Sequence, residues 1–69
     1  MNRWNPSEGR SMVIFFARGV MVGWNLLDTP GEATTAGREH SEVDVTNVAF
    51  VHQSNGYSWV YERGKATKV

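Results

Sequence analysis

Few residues in this chain have side chains that could do chemistry, and their spacing is the place to begin. His40, Glu42 and Asp44 alternate in the stretch His-Ser-Glu-Val-Asp. If a strand begins that early, the three share one face, and an imidazole with two carboxylates can bind a divalent cation. No fourth ligand accompanies them, so a solvated strand edge accounts for the pattern better than a metal site, and no metal is expected. His40, Ser41 and Asp44 can also be drawn as a nucleophile, base and acid. However, Ser7, Ser11, Ser41, Ser54 and Ser58 sit in no nucleophile motif. The chain has no cysteine, which excludes thiol nucleophiles, thiolate metal sites and disulfides together. Its glycines are scattered among turn signals rather than gathered into a phosphate-cradling loop. This inventory points away from an enzyme and away from a bound cofactor.

The remaining functional signal is aromatic. Asn55-Gly56 predicts a two-residue hairpin turn of the primed type. That turn pairs His52 with Trp59, Phe50 with Tyr61 and Val48 with Arg63. His52, Trp59, Tyr61 and Tyr57 then gather on one face with Phe50, and Arg63 and Lys65 lie close by. Aromatic rings on a sheet flanked by cations can stack single-stranded bases. The same set can anchor a protein partner, or form the core of a small sheet. Trp4, in the irregular lead-in Asn2 to Arg10, either folds back over the core or adds an exposed anchor.

Two short stretches carry a family resemblance. Trp4-Asn5-Pro6-Ser7-Glu8-Gly9 resembles the start of the first strand of cold-shock domains, and Ala49-Phe50-Val51-His52 is similar to their second RNA-binding motif. The resemblance implies a small barrel that binds single-stranded nucleic acid. The sequence departs from the pattern elsewhere. Met-Val-Ile-Phe-Phe replaces the glycine-aromatic repeat after the first motif, and the second motif falls late in the chain. The likeness does not extend beyond these stretches and assigns no family.

The elements that must position these residues are built around Ser11 to Leu27, the densest apolar segment. As a helix it would be apolar on all sides, which a chain of 69 residues cannot bury. As a membrane span it would carry Arg18 at its centre, at a cost of about 3 kcal/mol. A hairpin sorts the residues better, with strands over 11–17 and 20–27 and the turn at Arg18-Gly19. Ala17 then faces Val20, Phe15 faces Val22, Val13 faces Trp24, and Ser11 faces Leu26. Met12, Ile14, Phe16 and Met21 fall on the opposite face, where a homodimer interface is the simplest cover.

The connection that follows is acidic, with Asp28, Glu32, Glu39, Glu42 and Asp44 against Arg38 alone. Thr29 and Glu32 fit a capping box with Pro30 at the first helical position, so a short helix over about 30–40 is expected. Its two glycines and two threonines give it poor propensity. A third strand over 42–53 follows, with a bulge near Thr46-Asn47 that reconciles Val43 and Val45 with Val48 and Phe50. The fourth strand closes the second hairpin by about residue 63, and the tail beyond Gly64 is expected to fray.

The result is one small, mostly β domain over 1–69. Two antiparallel hairpins (11–27 and 43–63) form a four-stranded twisted sheet or small barrel, with one short helix. The formal charge is zero, without the basic footprint of a duplex-binding protein. The expected function is a non-enzymatic binding protein that docks on another macromolecule, a protein first. It would be of the accessory or inhibitor type found in phages and mobile elements. Single-stranded nucleic-acid binding through the second hairpin is the alternative. The N-terminus lacks the blocks of a signal peptide, so a cytoplasmic location with no membrane association is expected.

Overall fold

The computed structural model describes residues 10–69, so Trp4 and the rest of the lead-in lie outside the described residues. The chain forms β1 (Ser11–Ala17), β2 (Val20–Leu27), α1 (Pro30–Val43), β3 (Asn47–His52), β4 (Ser58–Glu62) and β5 (Lys65–Lys68). The five strands make one antiparallel sheet in the order β2-β1-β3-β4-β5. The mostly β class is as expected from the sequence. The sheet is open, so the barrel alternative is not formed. The helix between the hairpins covers one face.

Ser11 to Leu27 doubles back at Arg18-Gly19, as its sequence requires. Both turn residues have positive φ, 54° and 77°, which matches the twist of the flanking strands. A bulge then shifts the register between Phe15 and Phe16, leaving Val22 without a partner. Ala17 pairs Val20 as expected, but Phe15 pairs Gly23, Val13 pairs Asn25 and Ser11 pairs Leu27. The expected pairs of Phe15 with Val22 and Val13 with Trp24 are therefore displaced by one residue. Each residue of β2 beyond the bulge stands on the opposite face.

The capping box forms. Glu32 N–H donates to Thr29 Oγ1 at 3.2 Å, and Thr29 N–H donates to the Glu32 carboxylate at 3.2 Å. Such a cap is worth about 1 kcal/mol. Once started, the helix runs through Val43 rather than ending near 40. Glu42 and Val43 are thus helical, and the expected strand over 42–53 begins only at Asn47. A turn at 45–46 does what the proposed bulge was meant to do. Helix propensity was a poor guide here because the helix is held by contact. Ala33, Gly37 and Ser41 lie at four-residue intervals and are its buried residues. A Cβ built on Gly37 would come within 2.7 Å of Val51 Cγ2. The glycine lets the helix backbone sit that close to the sheet.

The core is thin. Its buried hydrophobic members are Val13, Ala33, Ala49, Val51 and Tyr61, with Phe15, Leu27, Ala36 and Trp59 packed around them. Buried polar groups tie its margins. Ser41 Oγ accepts from Gly64 N–H at 2.9 Å and donates to the Arg38 carbonyl at 2.8 Å. Ser11 Oγ accepts from Ser54 N–H at 2.9 Å, and Asn47 Nδ2 donates to the His40 carbonyl at 3.0 Å.

The second hairpin differs from expectation by one residue. Gly56 N–H donates to the Gln53 carbonyl and Gln53 N–H to the Tyr57 carbonyl, at 2.9 and 2.8 Å. The loop is therefore Ser54-Asn55-Gly56, with Gly56 at φ 96°. That is the three-residue type closed by a left-handed glycine, not the two-residue turn. His52 pairs Ser58, Phe50 pairs Val60 and Val48 pairs Glu62. Beyond Glu62, Arg63-Gly64 repeats the first turn with φ of 54° and 79°. β5 follows where a frayed tail was expected.

Candidate interaction surface

The registers determine what the helix-free face carries, because residues paired across strands share a face. Its central row runs Trp24, Ile14, Phe50, Val60, Thr67 across β2, β1, β3, β4 and β5. Toward the Arg18-Gly19 turn lies Met21, Phe16, Val48, Glu62, Lys65. On the other side lies Leu26, Met12, His52, Ser58. From β2, β1 and β3 this face presents no Asp, Glu, Lys or Arg. Charge first appears at the β4–β5 end, with Glu62 opposite Lys65.

The face is apolar, and no element of the described residues is laid over it. Trp24 is 60% exposed, Met21 55% and Phe50 42%. Phe16 and Phe50 meet edge to face with ring centroids 5.6 Å apart, the geometry aromatic quadrupoles favour. The strand hydrogen bonds on both sides of β1 and β3 hold these side chains on a rigid base. At the far end, the imidazole Nδ1 of His52 is hydrogen-bonded to Ser58 Oγ. Toward β1 and β2 the face is apolar. It can remove apolar area from water when another surface is laid on it.

Met12, Ile14, Phe16 and Met21, grouped by the hairpin reading, do stand together on this face. Trp24 and Leu26 join them because of the bulge, and that reading had placed both on the other face. Val60 joins because of the longer loop. The signal that could have found Val60 is Ser54-Asn55-Gly56 itself, which fits a three-residue loop as well as a two-residue one.

The aromatic cluster expected on the second hairpin is not formed. Tyr61 is in the core at 6% exposure, facing the helix with Ala49. Trp59 lies on the same side, half-buried, and donates from its indole N–H to Gln53 Oε1 at 3.0 Å. Gln53 in turn donates to Thr34 Oγ1 at 3.1 Å, linking the loop to the helix. Tyr57 is exposed near the loop, with Lys68 Nζ 4.6 Å from its ring centroid. Arg63 occupies the β4–β5 turn, and only His52 stands on the open face with Phe50. The shared platform drawn for base stacking is therefore divided between two sides of the sheet.

His40, Glu42 and Asp44 do not share a strand face either. His40 lies in the helix, where its Nε2–H donates to the Phe16 carbonyl at 2.8 Å, and its ring packs 4.8 Å from that of Phe15. Glu42 belongs to the last helical turn, beside Gly64. Asp44 caps the helix C-terminus. Its carboxylate accepts from the Thr46 hydroxyl and, at 3.1 Å, from Thr46 N–H. These two bonds, the hydroxyl's first, hold the Asp44 carboxyl below the usual carboxylate range. Among the described residues no three His, Cys, Asp or Glu side chains are grouped to hold a metal ion. Among the same residues no helix is long and apolar enough to cross a membrane.

No family model, curated protein or solved structure matches this chain.

Proposed function

We propose that this chain is a non-enzymatic protein-binding domain whose docking surface is the helix-free face of the sheet. The observation that supports this reading is the uninterrupted apolar band from Met21, Trp24 and Leu26 through β1 to Val48, Phe50 and Val60. Isolated exposed apolar residues are ordinary on soluble proteins, but a contiguous patch of this extent on a rigid sheet marks an interaction site. Large rings and methionines predominate, and both suit adaptable, desolvated contacts with protein side chains. The absence of cations from this band favours a protein partner over a phosphate backbone, whose recognition depends on Lys and Arg.

The test is site-specific photo-crosslinking in cells. A photoreactive phenylalanine analogue at Phe50 should give one discrete protein adduct. The same probe at Glu39, exposed on the helix, should not. The adduct should disappear when Ile14→Asp is introduced beside the probe. Equal labelling at Phe50 and Glu39, or no adduct at Phe50, overturns the proposal. Tryptophan quenching by single-stranded oligonucleotides that weakens steeply with salt would favour nucleic acid instead.

A further inference from the structure

We infer that the occupant of this face is a second copy of the same chain, packed sheet against sheet about a two-fold axis near Ile14 and Phe50. The inference rests on the reading of this face as the docking surface and names its partner. Three observations converge on it.

The first is area. The molecule measures 33 × 24 × 18 Å. A face with the two longer dimensions offers roughly 600–800 Å² per copy, and stable specific interfaces bury about 800 Å² per partner. Two copies face to face therefore reach the standard range with this surface alone.

The second is composition. Interfaces that form and separate mix polar and charged residues into their contact surface. Permanent homodimer interfaces are more apolar and resemble a domain core cut in two. Here β2, β1 and β3 present no charged side chain on the face, and charges gather at one end, where Glu62 and Lys65 supply both signs. The chain as a whole has zero formal net charge, so two copies meet without mutual repulsion.

The third is the thinness of the core. Among the described residues the buried hydrophobic ones are Val13, Ala33, Ala49, Val51 and Tyr61, and a domain this small commonly needs a disulfide, a metal or a partner subunit. The sequence has no cysteine. A cover needed for stability must be present whenever the chain folds, and a second copy always is. The dimer would be a sandwich with the helices outside. The opposed sheets would interdigitate Met12, Ile14, Phe16, Trp24 and Phe50 across a layer about 10 Å thick.

The experiment uses the purified full chain alone. Sedimentation equilibrium from about 1 to about 100 µM should give twice the 7.7 kDa chain mass at the upper end. The melting temperature should rise with concentration across the same range. Phe50→Cys introduces the sole cysteine near the proposed axis, so mild oxidation should link most of the chain into a symmetric disulfide dimer. Glu39→Cys should link poorly. Ile14→Asp should give the single-chain mass. If that variant is unfolded, the concentration dependence of the parent melt decides. A parent chain that sediments at 7.7 kDa throughout, with a concentration-independent melt and no linkage at Phe50→Cys, overturns the homodimer. The outcomes separate the two proposals. A single-chain mass together with a different protein crosslinked at Phe50 in cells refutes self-association and keeps the docking face. A single-chain mass with no adduct refutes both.

Discussion

Gly37→Ala tests the close approach on which the helix and sheet layers depend. In an exposed helix interior this change is favourable by about 1 kcal/mol. Here the new methyl would stand 2.7 Å from Val51 Cγ2, with Tyr61 Cδ1 at 3.4 Å and Ala49 Cβ at 3.5 Å. Carbon atoms pack comfortably at about 3.5–4.0 Å, so the overlap with Val51 is close to 1 Å. Val51 cannot readily give way. It is 1% exposed, and its branched Cβ restricts it to few rotamers. The helix must lift instead, loosening Ala33 and Ser41 in the same stripe. Overpacking of this kind costs about 1–3 kcal/mol. A change that moves a whole helix belongs in the upper half of that range. Subtracting the propensity gain leaves a net loss of about 1–2 kcal/mol, or a melting temperature lower by about 4–16 °C in a domain of this size. Calorimetry at one fixed protein concentration measures it. Gly31→Ala is the control, since a Cβ there meets nothing within 4 Å, and it should stabilise slightly. In a double-mutant cycle with Val51→Ala, the two changes should couple favourably by about 1 kcal/mol. A Gly37→Ala protein as stable as its parent would refute the reasoning.

Two further changes probe the margins of the fold. Ser41→Ala removes the acceptor for Gly64 N–H and should cost about 1–3 kcal/mol in urea denaturation, with faster hydrogen exchange at the Gly64 amide. Thr46→Val removes the hydroxyl that holds the Asp44 carboxyl down, so an NMR titration should find the Asp44 pKa raised toward its ordinary value. Because the folded-state pKa of Asp44 lies below its unfolded value, its contribution to stability is present above the unfolded value. It is lost as pH falls through the folded one. Thr46→Val should therefore flatten the acid limb of the stability curve while leaving the Thr46 backbone bond in place.

Much of the architecture was legible because it depends on local chemistry. Arg18-Gly19 ended an apolar run that no helix of this length could bury, and Thr29, Pro30 and Glu32 marked a helix start. The helix end was less legible. Its last turns are held by Ser41, by His40 against the Phe16 carbonyl, and by Asn47 on the His40 carbonyl, all contacts distant in sequence or tertiary in kind. β5 was missed although Arg63-Gly64 repeats the dipeptide of the first turn. Lys-Ala-Thr-Lys has no apolar alternation, and its residues remain exposed. Such a strand is held by backbone pairing, and its lysines suit a sheet edge. The faces of β2 and β4 were misassigned for one reason in two places. The bulge at Val22 and the third loop residue at Ser54–Gly56 each shift pairing by one, and in a strand one residue exchanges the faces. Trp59 and Tyr61 thereby became core and helix-side residues, while Trp24 moved to the open side.

The two faces of the sheet differ in what lies over them and in the residues they carry. A helix whose contact stripe is Ala33, Gly37 and Ser41 approaches the sheet closely. Under it the central strands place Val13, Ala49 and Val51, with Phe15, Trp59 and Tyr61 packed around them. The alternate residues of the central strands, Met12, Ile14, Phe16 and Phe50, project the other way. Alternation would have allowed polar residues there at no cost to the helix layer, as antiparallel sheets with one wet face show. The chain instead places large rings on both sides, Phe15, Trp59 and Tyr61 under the helix and Phe16, Trp24 and Phe50 on the open face. Lysine is kept for the edge strand β5. A second apolar surface laid on the open face, as proposed above, would complete the layer.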